Sequence, residues 1–195
     1  MTDKKFAGKI KNLRSADRVK NLEVQRVIDL CLEGNSIQSI LDVGTGSGLF
    51  SEAFSNHGLD VSGVDANQEM LIAARSYVPK GDFRRGTAEQ LPFPDQSFDL
   101  SFLGLVLHET DDPLKALKEA LRVSRKRVCI LEWPYRNQLF GPPLAHRLKP
   151  EFLEKLVRSA GFKNWQTTEL TNTILYRFES IAEVIMNKQN GNLAE

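Results

Sequence analysis

The stretch Ile40-Leu41-Asp42-Val43-Gly44-Thr45-Gly46-Ser47-Gly48 decides the fold of this chain. A short apolar strand runs into three glycines spaced two apart, and the helix-like sequence Leu49-Phe50-Ser51-Glu52-Ala53-Phe54 follows. Glycines at such a bend allow positive φ and let a ligand approach the backbone, because no Cβ stands in the way. A strand, a glycine turn and a helix N-terminus together predict a nucleotide-type cofactor site at the carboxyl end of a parallel sheet.

The spacing of these glycines indicates which cofactor to expect. The dinucleotide fingerprint G-x-G-x-x-G, started at Gly44, requires its third glycine at position 49. That position is Leu49, and the third glycine is Gly48. Asp42 adds a carboxylate just before the turn, where it would repel a pyrophosphate and hold a cationic amino-acid group. A nicotinamide oxidoreductase is therefore disfavoured.

The composition is that of an ordinary globular domain. A chain of 195 residues is long enough for one domain with a full core and short for two, so we expect a single domain over 1–195. The net charge of +1 predicts no nucleic-acid partner. Met1 is followed by charged residues and no apolar run approaches the length of a membrane span, so we expect a cytoplasmic protein. Cys31 and Cys129 are far apart, which favours reduced cysteines and no metal site.

The first 30 residues are expected to be a helical, lid-like segment. Residues 3–26 carry eight lysines and arginines against three acidic residues. Two interpretations are open, a solvated helical face or a basic lid over an anionic substrate.

Strand-like and helix-like segments alternate along the chain, which predicts βαβ units around a parallel sheet. Asp112-Pro113 is typical of a helix N-cap with proline at the first helical position, and Gly161 of a helix stop. The buried faces are predicted to be Met70, Ala73, Ala74 and Tyr77 on one helix, and Leu114, Leu117, Ala120 and Leu121 on another. The strands are expected at 38–43, 60–65, around Phe83, 98–103, 127–133, 162–170 and 173–178, with helices at 49–57, 150–160 and 181–186 and a long loop over 134–149.

Two further motifs follow the glycine turn. Asp65 ends the second predicted strand, 21 residues beyond Gly44, where an acid can accept hydrogen bonds from ribose hydroxyls. The stretch Gly86-Thr87-Ala88-Glu89-Gln90-Leu91-Pro92-Phe93 offers backbone and hydroxyl groups to an adenine edge.

In this order the three motifs resemble class I S-adenosylmethionine-dependent methyltransferases, in the small type-11 branch related to ubiquinone/menaquinone methyltransferases. The resemblance covers about residues 13–180. It implies a three-layer α/β/α Rossmann-like sandwich with a mostly parallel seven-stranded sheet, order 3-2-1-4-5-7-6 with strand 7 antiparallel, and S-adenosylmethionine as cofactor. It implies that Asp42 contacts the methionine end and that Asp65 binds the ribose. The other cofactor-binding positions that it implies are Gly44, Thr45, Gly46, Gly48, Ala66, Met70, Thr87, Ala88, Leu103 and Gly104.

Two departures from the family pattern stand out. Many relatives have Asp where this chain has Thr87, and a hydroxyl accepts a hydrogen bond more weakly than a carboxylate. Affinity for the cofactor is therefore expected to be modest. Lys149 stands where a narrower subgroup often has a Ser as helix N-cap, so that cap is lost or supplied by another group.

The candidate catalytic residues are His108, after the fourth strand, and Glu132, at the end of the fifth. Both are predicted at the ligand-binding edge of the sheet, and histidine titrates in the range that suits a general base. Glu109 and His146 are also considered as bases, although Glu109 is more readily interpreted as the start of the next turn. His146 and Arg147 are considered as binding groups for an anion. Trp133, Tyr135 and Phe140 are considered as an aromatic wall for a planar substrate or the sulfonium.

These observations predict an S-adenosylmethionine-dependent methyltransferase that acts on a small molecule, as a monomer or homodimer. The alternative is a non-catalytic regulatory protein that binds S-adenosylmethionine or S-adenosylhomocysteine. The identity of the methyl acceptor does not follow from the sequence.

Overall fold

A seven-stranded sheet forms the centre of the computed structural model, which describes residues 10–179. The strand order is β3-β2-β1-β4-β5-β7-β6, and β7 runs antiparallel to both of its neighbours. The strand order and the antiparallel direction of β7 that the family resemblance implies are confirmed. The strands are β1 Ser39–Val43, β2 Asp60–Asp65, β3 Asp82–Arg85, β4 Phe98–Gly104, β5 Ser124–Glu132, β6 Gln166–Glu169 and β7 Ile174–Glu179.

Helices cover the sheet on both faces and bury two hydrophobic clusters. Successive residues of β1 alternate between the clusters, because side chains of a strand point to opposite faces in turn. Ile40 packs with α2, α3 and α4, whereas Leu41 and Val43 pack with α5 and α6. The helices are α1 Ala16–Asn21, α2 Val24–Leu32, α3 Leu49–Asn56, α4 Gln68–Tyr77, α5 Pro113–Val123 and α6 Pro150–Ala160, with 3-10 turns at Ile10–Arg14, Leu107–Glu109 and Leu144–His146.

The helix ends predicted from local sequence are confirmed. Asp112 caps α5, since its Oδ1 accepts a hydrogen bond from the Lys115 N–H at 3.0 Å, and Pro113 is the first helical residue. Gly161 ends α6 with a φ of +108°. Lys149 gives α6 no side-chain cap, so the cap that the subgroup's Ser would supply is absent here.

The predicted buried faces of two helices need correction. The buried residues of α4 are Met70, Leu71 and Ala74, while Tyr77 is 47% exposed. Tyr77 instead lies under the Arg14 guanidinium, 3.5 Å from its ring centroid. The buried residues of α5 are Ala116, Leu117, Ala120 and Val123, so the real stripe is rotated relative to the predicted one. Hydrophobic periodicity predicts that a segment is helical, but it does not determine which face of the helix packs against the sheet.

The sixth strand is shorter than predicted, whereas the seventh has the predicted length and is shifted by one residue. Residues 162–165 do not join the sheet, because Phe162 and Trp165 pack their rings against Phe178, with centroids 4.5 and 5.9 Å away. The helix predicted over 181–186 lies outside the described residues. Within residues 10–179, no helix is long and apolar enough to span a membrane, and no group of three or more His, Cys, Asp or Glu could hold a metal ion. Cys31 and Cys129 are buried free thiols.

Candidate functional site

A cavity of about 350 Å³ lies at the carboxyl edge of the parallel strands. Four loops and the N-terminal segment meet there, because parallel strands end at the same edge of a sheet. These loops follow β1, β2, β3 and β4. Its lining includes Asp42, Gly44, Thr45, Gly46, Ser47, Phe50, Asp65, Ala66, Met70, Gly86, Thr87, Ala88, Glu89, Gly104, Leu105, Val106, Glu109, Thr110 and Asp111.

The glycine turn is closely packed from two sides. A Cβ on Gly44, whose φ is +68°, would lie 2.4 Å from Cγ2 of Val106 in the loop after β4. A Cβ on Gly48, whose φ is +78°, would lie 2.9 Å from Cα of Ala74 in α4. Only glycine satisfies both the left-handed backbone and these contacts. A Cβ on Gly46 would meet nothing closer than 3.8 Å, so the middle of the turn is open.

Asp42 is buried beneath the turn with a fixed orientation. Its Oδ2 accepts hydrogen bonds from the Thr45 hydroxyl at 2.9 Å and from the Ser51 hydroxyl at 2.8 Å. Burial raises the pKa of Asp42 to about 6, although both hydroxyls oppose that shift. The carboxylate is therefore ionised at neutral pH and is suited to hold a cation.

Asp65 lies at the end of β2, and its two oxygens are held by backbone groups. Oδ2 accepts the Gly46 N–H at 2.9 Å, and Oδ1 accepts the Asn67 N–H at 2.8 Å. Burial raises the pKa of Asp65 above its usual value. A hydrogen bond thus connects Asp65, the last residue of β2, to the glycine turn after β1.

The loop after β3 forms the far wall of the cavity. Thr87 is exposed and Ala88 is buried, and Glu89 connects this loop to the one after β4. The Oε1 atom of Glu89 accepts the backbone N–H of Asp111 at 3.0 Å. The loops after β3 and β4 are therefore held together without a ligand.

The N-terminal segment, residues 13–22, covers the glycine turn. Arg14 donates to the Ser47 carbonyl at 3.1 Å and forms an ion pair with Glu52. Leu13, Arg18 and Leu22 line the cavity. The lid-like role of residues 1–30 stays a prediction, and residues 1–9 lie outside the described part of the chain. The cavity lining gives no support for an anionic substrate under a basic lid, because its charged residues are mostly acidic.

Most of the predicted cofactor residues converge on this cavity. Gly48 and Leu103 do not line the cavity. Gly48 packs against Ala74 of α4, and Leu103 is fully buried in the sheet. The binding roles of all these residues stay predictions. Those that line the cavity are Asp42, Gly44, Thr45, Gly46, Asp65, Ala66, Met70, Thr87, Ala88 and Gly104.

His108 and Glu132 form a buried pair outside the cavity lining. His108 Nδ1 lies 2.8 Å from Glu132 Oε2, and the two residues are 5% and 2% exposed. Burial lowers the pKa of His108, but the charge and hydrogen bond of Glu132 together with the charge of Glu109 outweigh burial, so that the pKa is raised. Neither side chain is in the cavity lining, and the catalytic roles of both stay predictions.

Glu109, considered at the sequence level as a base, lines the cavity, and so do three charged residues to which sequence reasoning assigned no individual site role: Arg18, Glu89 and Asp111. Glu109 is the last residue of the 3-10 turn after β4, not the start of the next turn. In the sequence, the signal for Glu109 as a site residue was its position directly after the candidate residue His108. For Arg18 the sequence gave only a general excess of basic residues.

The loop over 134–149 is held by Arg147 and does not line the cavity. The buried Arg147 guanidinium donates to the carbonyls of Pro134, Arg136, Phe140 and Pro142 at 2.9–3.1 Å. It is thus committed to the backbone, and the prediction that it binds an anion is wrong. Trp133 and Phe140 pack edge to face at 5.5 Å, and the aromatic wall that they were expected to form stands outside the cavity.

Comparisons with known proteins agree with this geometry. Residues 41–130 match the family model described as "Methyltransferase domain". The chain is 32% identical over 144 residues to a protein of Renibacterium salmoninarum named demethylmenaquinone methyltransferase, covering 74% of this chain and 59% of the relative. It is 40% identical over 145 residues to the uncharacterized methyltransferase YcgJ of Bacillus subtilis, covering 71% of this chain and 57% of the relative. The chain thus spans somewhat over half the length of these relatives.

Solved structures show the same fold. A SAM-dependent methyltransferase from Aquifex aeolicus superposes with a TM-score of 0.81 at 23% identity, over 91% of this chain and 100% of the other. The crystal structure of YcgJ from Bacillus subtilis superposes with a TM-score of 0.62 at 25% identity, over 75% of this chain and 70% of the other. Residues 41–130 therefore match a methyltransferase domain, and the strand order is that of the fold that the Aquifex aeolicus SAM-dependent methyltransferase also has.

Proposed function

We propose that this protein transfers the methyl group of S-adenosylmethionine to a small-molecule acceptor. The observation that carries the proposal is the convergence of the glycine turn, Asp65 and the loop 86–89 on one cavity at the carboxyl edge of the sheet. The match to a methyltransferase domain supports the same activity.

The residues around the cavity fit this cofactor chemically. The anionic Asp42 is suited to the cationic amino group, and Asp65 to the ribose hydroxyls. Met70, Ala66 and Ala88 offer apolar contacts to the adenine, and Thr87 a hydroxyl. A further observation is the buried Oγ of Ser47 in the cavity lining, which has no hydrogen bond to any residue within the described range 10–179. Buried polar groups usually have a partner, so this atom is a candidate donor to a bound molecule.

When bound, S-adenosylmethionine supplies a methyl group that its sulfonium already activates for displacement. The main task of the chain is therefore to place the acceptor and exclude water. Phe50, Leu105 and Val106 provide apolar surface on the wall of the cavity, and the N-terminal segment covers it with Leu13 and Leu22. Alignment of this kind is worth on the order of 7–11 kcal/mol in well-oriented intramolecular reactions.

Calorimetry and a turnover assay test the proposal together. We expect S-adenosylhomocysteine to bind and NADH not to bind. We also expect S-adenosylhomocysteine to be released when the protein is mixed with S-adenosylmethionine and a protein-free bacterial metabolite fraction. A demethylmenaquinone is tested as a second acceptor, because several relatives are named demethylmenaquinone methyltransferase. If the protein binds S-adenosylhomocysteine but releases none with the metabolite fraction or with the demethylmenaquinone, methyl transfer is contradicted and the regulatory alternative is supported. Cytoplasmic location and a monomeric or homodimeric state stay predictions.

A further inference from the structure

Charged side chains of alternating sign lead from the buried sheet edge to the cavity. Glu132 in β5 contacts His108, and His108 faces Glu109, with Nε2 to Oε1 at 3.8 Å. Arg18 of α1 lies near enough to Glu109 for their charges to interact. Only the last two, Glu109 and Arg18, line the cavity. The series thus runs carboxylate, imidazole, carboxylate, guanidinium.

Glu132 fixes the orientation of the imidazole. Its Oε1 accepts the backbone N–H of His108 at 3.2 Å, while its Oε2 faces Nδ1 at 2.8 Å and accepts the Trp133 N–H at 3.3 Å. A carboxylate held by two backbone donors favours the tautomer with a proton on Nδ1. The opposite ring atom, Nε2, is then directed to Glu109.

The charges around this series come from several elements. Arg147 of the 134–149 loop acts on His108 against the two glutamates, and Tyr176 of β7 faces Glu132. The charge and hydrogen bond of Glu132 and the charge of Glu109 together outweigh burial and Arg147, so the pKa of His108 is raised. Glu109 therefore lies between two groups, the His108 imidazole behind it and the Arg18 guanidinium beside it.

We propose that Glu109 takes the proton from the methyl acceptor, and that His108 and Glu132 are positioning residues that hold this carboxylate toward the cavity. The inference rests on the proposed methyl transfer. It assigns the acceptor to the class of nucleophiles that carry a proton, a hydroxyl or an amine. Glu109 is suited to the task because it is the member of the series that combines a carboxylate with exposure to the cavity.

The step balances without a further reactant. The bond between the methyl carbon and the acceptor oxygen or nitrogen forms, while the O–H or N–H bond of the acceptor breaks. The proton passes to Oε of Glu109, and the electron pair of the breaking carbon–sulfur bond stays on sulfur. Glu109 returns its proton to water after product release.

Ring NMR signals of histidine test the series in the absence of turnover. The chain has three histidines, and the exposed or half-exposed His57 and His146 serve as internal references. We expect Glu109→Gln to lower the pKa of His108 by about half a unit or more, since a partly screened charge at 3.8 Å acts on this scale. The matched control Glu69→Gln, at an exposed position in α4 outside the cavity, should leave it unchanged.

Turnover tests the proton transfer itself. With S-adenosylmethionine and the bacterial metabolite fraction, Glu109→Gln should lose about 100-fold or more of the methyl-transfer rate, the scale of general-base catalysis. Its affinity for S-adenosylhomocysteine should change less than about threefold. The loss should shrink as pH rises, because an acceptor ionised in solution needs no base. Glu109→Asp, which retains a carboxylate, should recover part of the rate.

Two results would overturn the proposal: a His108 pKa that is unchanged in Glu109→Gln, or a methyl-transfer rate in that variant equal to that of the wild type. Failure of the proposed function looks different, because wild-type protein would then bind S-adenosylhomocysteine and show no turnover at all. In that event the NMR result still decides whether Glu109 and His108 are coupled. Glu109→Gln is well placed for the test, because it changes a residue at the cavity and leaves the buried pair intact.

Discussion

The backbone N–H of Gly46 donates a 2.9 Å hydrogen bond to Oδ2 of Asp65. This contact joins the turn after β1 to the end of β2, and the Thr45 N–H reinforces it by donating to the Val64 carbonyl at 2.9 Å. The carboxylate that is expected to bind ribose is thus oriented before any ligand arrives. Preorganisation of this kind lowers the entropy that a ligand must lose on binding.

Replacing Asp65 should weaken cofactor binding. We expect Asp65→Ala to cost about 1–3 kcal/mol of binding free energy for S-adenosylhomocysteine, the scale of hydrogen bonds to a charged group. Asp60→Ala, at the exposed opposite end of the same strand, is the control and should bind as the wild type does. Titration calorimetry measures both. An unchanged dissociation constant for Asp65→Ala would refute its ribose-binding role.

Replacing Asp42 should stabilise the ligand-free protein while it weakens binding. Because burial raises the folded-state pKa to about 6, the ionised form is disfavoured in the folded chain. This acid therefore makes stability fall as pH rises from about 4 to 6, by up to about 3 kcal/mol. We expect Asp42→Asn to raise the melting temperature at pH 8, by roughly 2–4 °C per kcal/mol gained, and to have little effect near pH 3.5.

The Asn side chain can keep the two hydroxyl contacts of Asp42, because Thr45 and Ser51 both donate to a single oxygen. Affinity for S-adenosylhomocysteine should fall in the same variant, as the charge is lost. Calorimetric scans at both pH values decide the matter. A lower melting temperature at pH 8 would show that the charge does not destabilise the folded state.

The two glycines Gly44 and Gly46 should tolerate substitution differently. Both have positive φ, +68° and +53°, so an alanine at either costs about 1–2 kcal/mol of backbone strain. At Gly44 the new Cβ also meets Val106 at 2.4 Å, and such overpacking costs about 1–3 kcal/mol more. Urea denaturation should therefore find Gly44→Ala less stable than Gly46→Ala. Equal stabilities would mean that the loop after β4 moves freely away from the turn.

Adding a cap to α6 should stabilise the protein without affecting binding. Lys149 provides no side-chain hydrogen bond at the N-cap, where a serine can accept one from the first turn. We expect Lys149→Ser to gain about 0.5–1 kcal/mol in denaturant unfolding. Lys149→Ala, which also removes the charge but adds no acceptor, separates the cap from the loss of the Lys149–Tyr135 contact. A gain of the same size in both variants would exclude capping.

The local signals in the sequence predicted the local structure well. The strand at Asp60–Asp65 and the helix at Pro150–Ala160 have the predicted bounds, because turn residues and caps act within a few positions of the chain. The orientation of α4 and α5 was predicted less well. Their buried faces depend on which side the sheet approaches, and no residue within the helix records that.

The sequence by itself determined the glycine turn and the acids at positions 42 and 65, because these signals lie in contiguous residues at strand ends. The strand order was predicted from the family resemblance that these motifs carry. Only the tertiary structure decided which of the later charged residues reach the cavity. It buried His108 and Glu132 as a pair, directed Glu109 and Arg18 to the cavity, and committed Arg147 to four carbonyls of its own loop. Such assignments depend on contacts between elements distant in the chain, where burial and charge pairing select a side chain's position.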